Sequence, residues 1–369
     1  MKKISTALLL ICIQLINAQS SRNDVVNTLN KYLEGSSYND ISKLKDAFSK
    51  DATLYLKGSN NQLQSITPDT YMGWFKNNPK GKFNGRLGRI LSVEVHGDVA
   101  SAQVEILIAS RQTKYIDLLL LAKRNNEWKI ISKTASASET NQLGERVVFF
   151  VSNTHFYEGT TYGTGNSYSE IVNAYDEFVK AGYAVDFVSP DGGAVSLAYI
   201  NTSDALSKQY VYDPIFMHAL QHTSKPSEVI ASAYKAVYYV GGGSAMFDVP
   251  VNHEMQSIAM EVYEKNDGII SAVCHGTAGI VNLKTSNGDY LVKGKRVNGY
   301  PEDYENTSKP YFKTFPFLIK KTIQERGGIF VFSERNSLHV EVDGRLVTGQ
   351  NYVSSQAVAQ KIIELLGKK

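Results

Sequence analysis

From Arg146 onward the chain alternates two rhythms, and this alternation restricts its fold more than any single residue does. Val147–Val151, Ala184–Val188, Ala236–Val240 and Ile269–Val273 are short, nearly continuous apolar runs, as parallel strands buried on both faces require. Between them, Tyr168–Lys180, Asn252–Lys265 and Phe315–Arg326 carry apolar residues at helical spacing, and Val358–Leu366 closes the chain in the same way. This order predicts an α/β doubly wound sandwich over residues 146–369, with its functional site at the carboxyl ends of the strands.

The first half has a different pattern. Residues 22–34 and 40–49 place apolar side chains at helical spacing (Val25, Val26, Leu29, Tyr32, Leu33; then Ile41, Leu44, Phe48), and Asp40 is a candidate cap for the second segment. The period then becomes two: Arg89–His96, Val99–Ala109, Tyr115–Arg124 and Trp128–Thr134 read as strands joined by tight turns at His96-Gly97-Asp98 and Arg124-Asn125-Asn126. Helices followed by a curved antiparallel sheet predict a smaller α+β cone-shaped domain over 21–135. With the Ala47-Phe-Ser-Lys-Asp-Ala52 stretch, this pattern resembles the nuclear-transport-factor-2-like fold, in its lumazine-binding-like branch, and implies a binding or dimerisation module. Polar residues 136–145 (SASETNQLGE) read as the linker.

Lys2 and Lys3, the apolar run 4–16 and the small Ala18 read as a signal peptide over 1–18, which predicts an exported, periplasmic or secreted protein. The run is shorter than the roughly 20 apolar residues that span a bilayer, and no later segment reaches that length. Loss of the leader takes the formal net charge from +3 to +1, which removes the electrostatic case for nucleic acid. It also removes Cys12 and leaves Cys274 alone, a candidate reactive thiol.

Cys274 lies where an apolar strand, Gly268-Ile-Ile-Ser-Ala-Val, runs into the small residues His275-Gly-Thr-Ala-Gly279. A sharp strand-to-helix turn is expected there, and a helix N-terminus lowers a thiol pKa. The arrangement is that of a nucleophile elbow with Ala272 in place of the first glycine. Glu170, in the first turn of a helix, is a carboxyl group whose pKa would rise if it were held dry beside a thiolate.

Ala272-Val-Cys-His-Gly276 resembles the cysteine motif of the ThiJ/PfpI superfamily, in its heat-shock-protein-31-like, glyoxalase III group. Further stretches of the same resemblance follow in order across 145–369: Gly165-Asn-Ser-Tyr-Ser-Glu170, Ala181-Gly-Tyr-Ala-Val-Asp-Phe-Val-Ser-Pro-Asp-Gly192, Gly241-Gly-Gly-Ser-Ala-Met-Phe-Asp248, Gly299-Tyr-Pro-Glu-Asp-Tyr-Glu305 and Gly344-Arg-Leu-Val-Thr-Gly-Gln-Asn351. The resemblance implies a flavodoxin-like sandwich with Cys274 as nucleophile and His275 as acid/base. Glu305 would orient the histidine, Glu170 would bond the sulfur, and Gly242, Gly243 and Ser244 would form an oxyanion pocket with the His275 N–H. Related enzymes often carry glycine-histidine-glycine where this chain has Gly242-Gly243-Ser244, a departure that bears on pocket shape.

The implied activity is a glyoxalase III-type lyase (D-lactate dehydratase). It would convert small 2-oxoaldehydes such as methylglyoxal to 2-hydroxy acids through a Cys274 hemithioacetal, with no cofactor, metal or glutathione. A stress chaperone that holds unfolded proteins and a cysteine-dependent amidase, peptidase or deglycase are the alternatives, and a homodimer is expected. His339-Val-Glu341 has the histidine-x-glutamate form of glutamine amidotransferases, but strand alternation puts both on one face without any catalytic role. His218 and His222 lack a third metal ligand, His253-Glu254 lacks the second histidine of a zinc-protease helix, and Gly241-Gly-Gly fails the dinucleotide spacing at Met246. Tyr212, Phe216, Tyr311, Phe312, Phe315 and Phe317 are candidates for an aromatic lid over the cysteine.

Overall fold

The computed structural model describes residues 21–58 and 62–367. The chain divides between Gly144 and Glu145 into two compact units, each with its own core. Residues 1–18, expected to be a signal peptide, lie outside the described residues.

The first unit opens with helix α1 (residues 21–37) and α2 (Ile41–Ala47), whose first turn is capped by the Asp40 carboxylate accepting from the Ser42 and Lys43 N–H groups. Strand β1 (Phe48–Lys57) follows, then β2 (Leu63–Ile66), α3 (Pro68–Gly73), β3 (Leu87–His96), β4 (Val99–Ile108), β5 (Thr113–Arg124) and β6 (Glu127–Glu139). They form one six-stranded sheet in the order β2-β1-β6-β5-β4-β3. One face packs Leu119, Leu121 and Ile130 against Val25, Leu29 and Leu44 of the helices. The other face leaves Leu118 and Leu120 half exposed around a hollow of about 430 Å³.

Two expectations are corrected here. The helix expected over 40–49 stops at Ala47, because Phe48 starts a strand paired with Ile130 and wedges its ring between Tyr32 and Tyr71, at 5.7 and 5.9 Å. The linker expected over 136–145 begins late, since β6 runs to Glu139 with Ser136 and Ser138 opposite Ile116 and Lys114. Ladder pairing uses backbone groups, so polar side chains do not end a strand.

The second unit contains β7 (Arg146–Phe150), β8 (Asn166–Ser167), α4 (Tyr168–Lys180), β9 (Ala184–Val188), β10 (Leu197–Ala198), α5 (Ala205–Val211) and α6 (Pro214–Gln221). Then come β11 (Tyr234–Tyr239), α7 (His253–Glu264), β12 (Ile269–Val273), β13 (Arg296–Val297), α8 (Ile319–Glu325), β14 (Ile329–Phe330), β15 (Val340–Asp343), β16 (Leu346–Gly349) and α9 (Ser355–Gly367). The main sheet has the order β15-β16-β12-β11-β7-β9, parallel except for the β15–β16 edge. Alternate residues of β7 feed opposite cores: Val147 and Phe149 pack under α4 and α9, Val148 and Phe150 under α7 and α8. This is the expected flavodoxin-like sandwich. The strand order reverses between β7 and β11, which opens a crevice at their carboxyl ends beside the end of β12.

The helix expected over 315–326 is shortened to Ile319–Glu325, because Pro316 disfavours helical geometry at Phe315. Phe149 anchors the second core by stacking on Tyr238 at 4.6 Å and meeting Phe178 and Phe187 edge-on. Phe149→Ala is expected to cost about 3–5 kcal/mol, read as a lower denaturation midpoint of this unit; a loss below about 1 kcal/mol would contradict the packing described.

Candidate active site

β12 delivers Cys274 into a left-handed backbone conformation, φ +56°, and a seven-residue three-ten helix, Cys274–Ile280, leaves from it. For a residue with a side chain this is the strained geometry of a nucleophile elbow. Gly276 is required behind it: a Cβ there would lie 2.3 Å from the Tyr239 carbonyl oxygen. The turn aims the thiol at the crevice but leaves the residue only 9% exposed.

Two carboxyl groups flank this turn. Glu170, 1% exposed in the first turn of α4, accepts the Gly241 N–H at 2.9 Å and lies beside the Cys274 side chain, both crowding the position a Gly241 Cβ would take. Gly241 has no room for a side chain, since a Cβ would fall 2.5 Å from Glu170 Oε2 and 2.9 Å from Cys274 Cβ. Burial pushes the Glu170 carboxyl up to about 8, although its bonds with Cys274, Gly241 and Ser167 pull the other way. The expected lowering of the Cys274 thiol is not found. Burial first, and then the charge of Glu170, push it up by more than the His275 N–H pulls it down. In so dry a place the low dielectric outweighs the short helix dipole.

Glu305 is on the opposite side, at the end of the short turn Glu302–Tyr304, in a loop anchored by the Tyr300 N–H donating to the Cys274 carbonyl at 3.2 Å. Its Oε1 is 2.6 Å from His275 Nε2, and its Oε2 accepts the Tyr311 hydroxyl at 3.0 Å. Burial works to raise Glu305, but the bonds from His275 and Tyr311 lower it on balance, so it is ionised. An ionised Glu305 holds the proton on Nε2 and leaves the Nδ1 lone pair facing Cys274 Sγ at 3.6 Å. Tyr300 and Phe315 clasp the imidazole at 4.8 and 5.8 Å between ring centres.

The structure therefore brings together Cys274, His275, Glu305 and Glu170. The pocket residues fare differently. A Cβ on Gly242, at φ +102°, would lie 2.2 Å from the Gly165 carbonyl oxygen; a Cβ on Gly243 would meet the Tyr157 hydroxyl at 2.3 Å; Ser244 is fully buried. It is Gly241, outside the expected trio, that abuts the cysteine. Of the aromatic lid, Tyr311 and Phe315 touch the site, and Phe312 meets Phe315 edge-on at 5.8 Å. Phe216 is a core residue, Phe317 packs on the opposite core, and Tyr212 is 73% exposed. Tyr157, which packs on Tyr311 and Phe315, escaped the sequence reading because residues 152–165 have no periodicity.

His339 does not serve the cysteine. Its ring nitrogens meet Ser333 Oγ and Glu341 Oε1, each at 2.8 Å. His218 and His222 stack on each other at 4.0 Å, and among the described residues no three His, Cys, Asp or Glu converge to hold a metal ion. No described helix is long and apolar enough to cross a membrane.

Comparison with known proteins agrees with this fold. Residues 162–365 match the family model "DJ-1/PfpI family", and residues 20–136 match the model "Putative lumazine-binding". Glutathione-independent glyoxalase hsp3102 of Schizosaccharomyces pombe is 28% identical over 218 residues, 55% of this chain and 89% of its own length. Glutathione-independent glyoxalase HSP31 of Saccharomyces cerevisiae is 29% identical over 216 residues, 55% of this chain and 90% of its own. The crystal structure of glyoxalase III from Candida albicans superposes with a TM-score of 0.54 at 27% identity, covering 60% of this chain and 97% of that one.

The raised Glu170 has a measurable consequence. Its folded value of about 8 stands above its ordinary 4.5, so the folded chain keeps a proton that the unfolded chain releases. Its contribution to stability is therefore lost as pH rises from about 4.5 to about 8, by up to about 1.4 kcal/mol per pH unit. Chemical denaturation across that window is expected to show Glu170→Gln gaining on the unmodified chain as pH rises; parallel profiles would contradict the assignment.

Proposed function

We propose, from the premise that this chain belongs to the DJ-1/PfpI family, that its second unit converts small 2-oxoaldehydes to 2-hydroxy acids without glutathione. The observation that carries the reading is the chain of contacts from Cys274 Sγ through the His275 ring to Glu305, at 3.6 and 2.6 Å. A thiol, a base oriented by an ionised carboxylate and a second, protonated carboxyl are the parts such an isomerisation needs. The relatives named as glutathione-independent glyoxalases support the same reaction class.

In the proposed reaction, the thiol proton passes to His275 Nδ1 while sulfur adds to the aldehyde carbon, and Nδ1 hands it on to the new alkoxide, giving a hemithioacetal and a neutral ring. His275 then removes the hydrogen from that carbon and a proton is delivered to the adjacent one, through an enediol, to give a 2-hydroxyacyl thioester. Water cleaves the thioester, releasing the hydroxy acid and returning a proton to sulfur. The net change is addition of one water to the oxoaldehyde, and no electrons leave the substrate. Burial raises the thiol's pKa at rest, so the proton leaves only as the new C–S bond forms. Glu170, holding its own proton at neutral pH, adds no second negative charge beside the sulfur.

Purified protein is expected to form lactate from methylglyoxal with EDTA present and glutathione absent, and Cys274→Ala is expected to reduce this to the uncatalysed level. Turnover that survives Cys274→Ala would contradict the proposal. His275→Gln is expected to lower kcat by about 10²–10⁴-fold. Glu305→Gln, which keeps the hydrogen-bond geometry but loses the charge, is expected to fall between these and the unmodified chain; a rate equal to the unmodified chain would remove Glu305 from the mechanism.

A further inference from the structure

No side chain of the His339 trio takes part in the cysteine chemistry, yet the site is assembled as carefully. Ser333, His339 and Glu341 lie in line: Ser333 Oγ is 2.8 Å from His339 Nδ1, and His339 Nε2 is 2.8 Å from Glu341 Oε1. Arg296 grips the carboxylate from outside through Nε and a terminal nitrogen, at 2.9 and 3.0 Å. We propose that these three side chains form a second hydrolytic centre, in which Ser333 is acylated by small, accessible carboxylic esters.

Each part is held in place by its own bonds. The His339 N–H donates to Ser354 Oγ at 3.0 Å, and its carbonyl accepts from Asn298 Nδ2 and the Gln350 N–H. Ser333 donates its N–H to Gln350 Oε1 at 2.7 Å and accepts the Tyr304 hydroxyl on its carbonyl, so its backbone is fixed while its hydroxyl is exposed. The His339 and Glu341 side chains are only 15% and 11% exposed, which leaves an open nucleophile over a shielded base. Burial works to raise the Glu341 carboxyl, but the Arg296 and His339 bonds lower it on balance, so it is ionised. An ionised Glu341 holds the proton on Nε2 and turns the Nδ1 lone pair toward the Ser333 hydroxyl. This exchanges the two ring nitrogens relative to the familiar Ser-His-Asp order, while each keeps its chemical role.

After Ser333 the chain turns through Asn336, at φ +69°, and the Glu334 and Arg335 N–H groups have no hydrogen-bond acceptor among the described residues. A free N–H directly after the nucleophile is the usual first donor to an oxyanion. The chemistry balances as ester plus water giving acid plus alcohol. Ser333 Oγ attacks the carbonyl carbon, its proton moves to His339 Nδ1, and the alkoxide leaves with that proton. Water then cleaves acyl-Ser333 by the same route and restores the hydroxyl.

The inference goes beyond the oxoaldehyde reading and does not depend on it, so its test is made in the Cys274→Ala chain, where the thiol of the first site cannot be acylated. That protein is expected to hydrolyse p-nitrophenyl acetate, and adding Ser333→Ala is expected to lower the rate by at least about tenfold. A fluorophosphonate probe is expected to add its mass to the Ser333 peptide, and His339→Gln to abolish the labelling. Ser333 is exposed, so its replacement does not disturb the core. Equal hydrolysis with and without Ser333, or no labelling at Ser333, would show that the trio is only a staple for its loop and would overturn the proposal.

Discussion

A low-dielectric interior tolerates one negative charge far better than two, and the second unit seals two groups able to carry one, the Glu170 carboxyl and the Cys274 thiol, against each other. Much of the local backbone serves that contact. Gly241 donates its N–H to Glu170 and accepts the Ser167 N–H on its carbonyl at 2.8 Å, which ties the start of α4 to the end of β11. Gly241 and Gly276 are glycine because a side chain at either would occupy the space of the thiol, the carboxyl or the Tyr239 carbonyl. The strain at Cys274 is held by β12, whose neighbours β11 and β16 fix it on both sides.

The sheet explains why groups far apart in sequence meet. β7 and β11 diverge at the reversal of strand order, so the loops after β7, β11 and β12 open into one crevice. Glu170 arrives from the helix after the first loop, Gly241 from the second and Cys274 from the third. Glu305 has no strand of its own; its loop is tied to the Cys274 carbonyl through Tyr300 and to its own neighbour Tyr311. The two sides of the cysteine thus carry opposite electrostatics: a carboxyl kept protonated by dryness and a carboxylate kept ionised by hydrogen bonds.

Much of this was legible in the sequence. Buried parallel strands advertise themselves as apolar runs, and Ala184–Val188, Ile269–Val273 and α4 fall where periodicity puts them. Cys274, His275, Glu170 and Glu305 could be named because they lie in short ordered motifs. What escaped depends on tertiary context. Phe48 fits helical spacing as well as a strand, and only the rings of Tyr32 and Tyr71 decide between them. Gly241 looked like one glycine among three, and its distinction is a clash that only folding reveals. The thiol pKa was expected to fall because a sequence shows a helix N-terminus but not the depth at which it is buried. Tyr157 comes from a loop without periodicity, and no local signal brings it to Gly243.

The account turns on Glu170 keeping its proton beside Cys274 at neutral pH. Infrared difference spectroscopy between the unmodified chain and Glu170→Gln reads that proton directly through the carbonyl stretch of a protonated carboxyl. The account predicts that this band is present at neutral pH and fades as the pH passes about 8. A carboxylate band already fully formed at neutral pH, with no protonated carbonyl to lose, would contradict it.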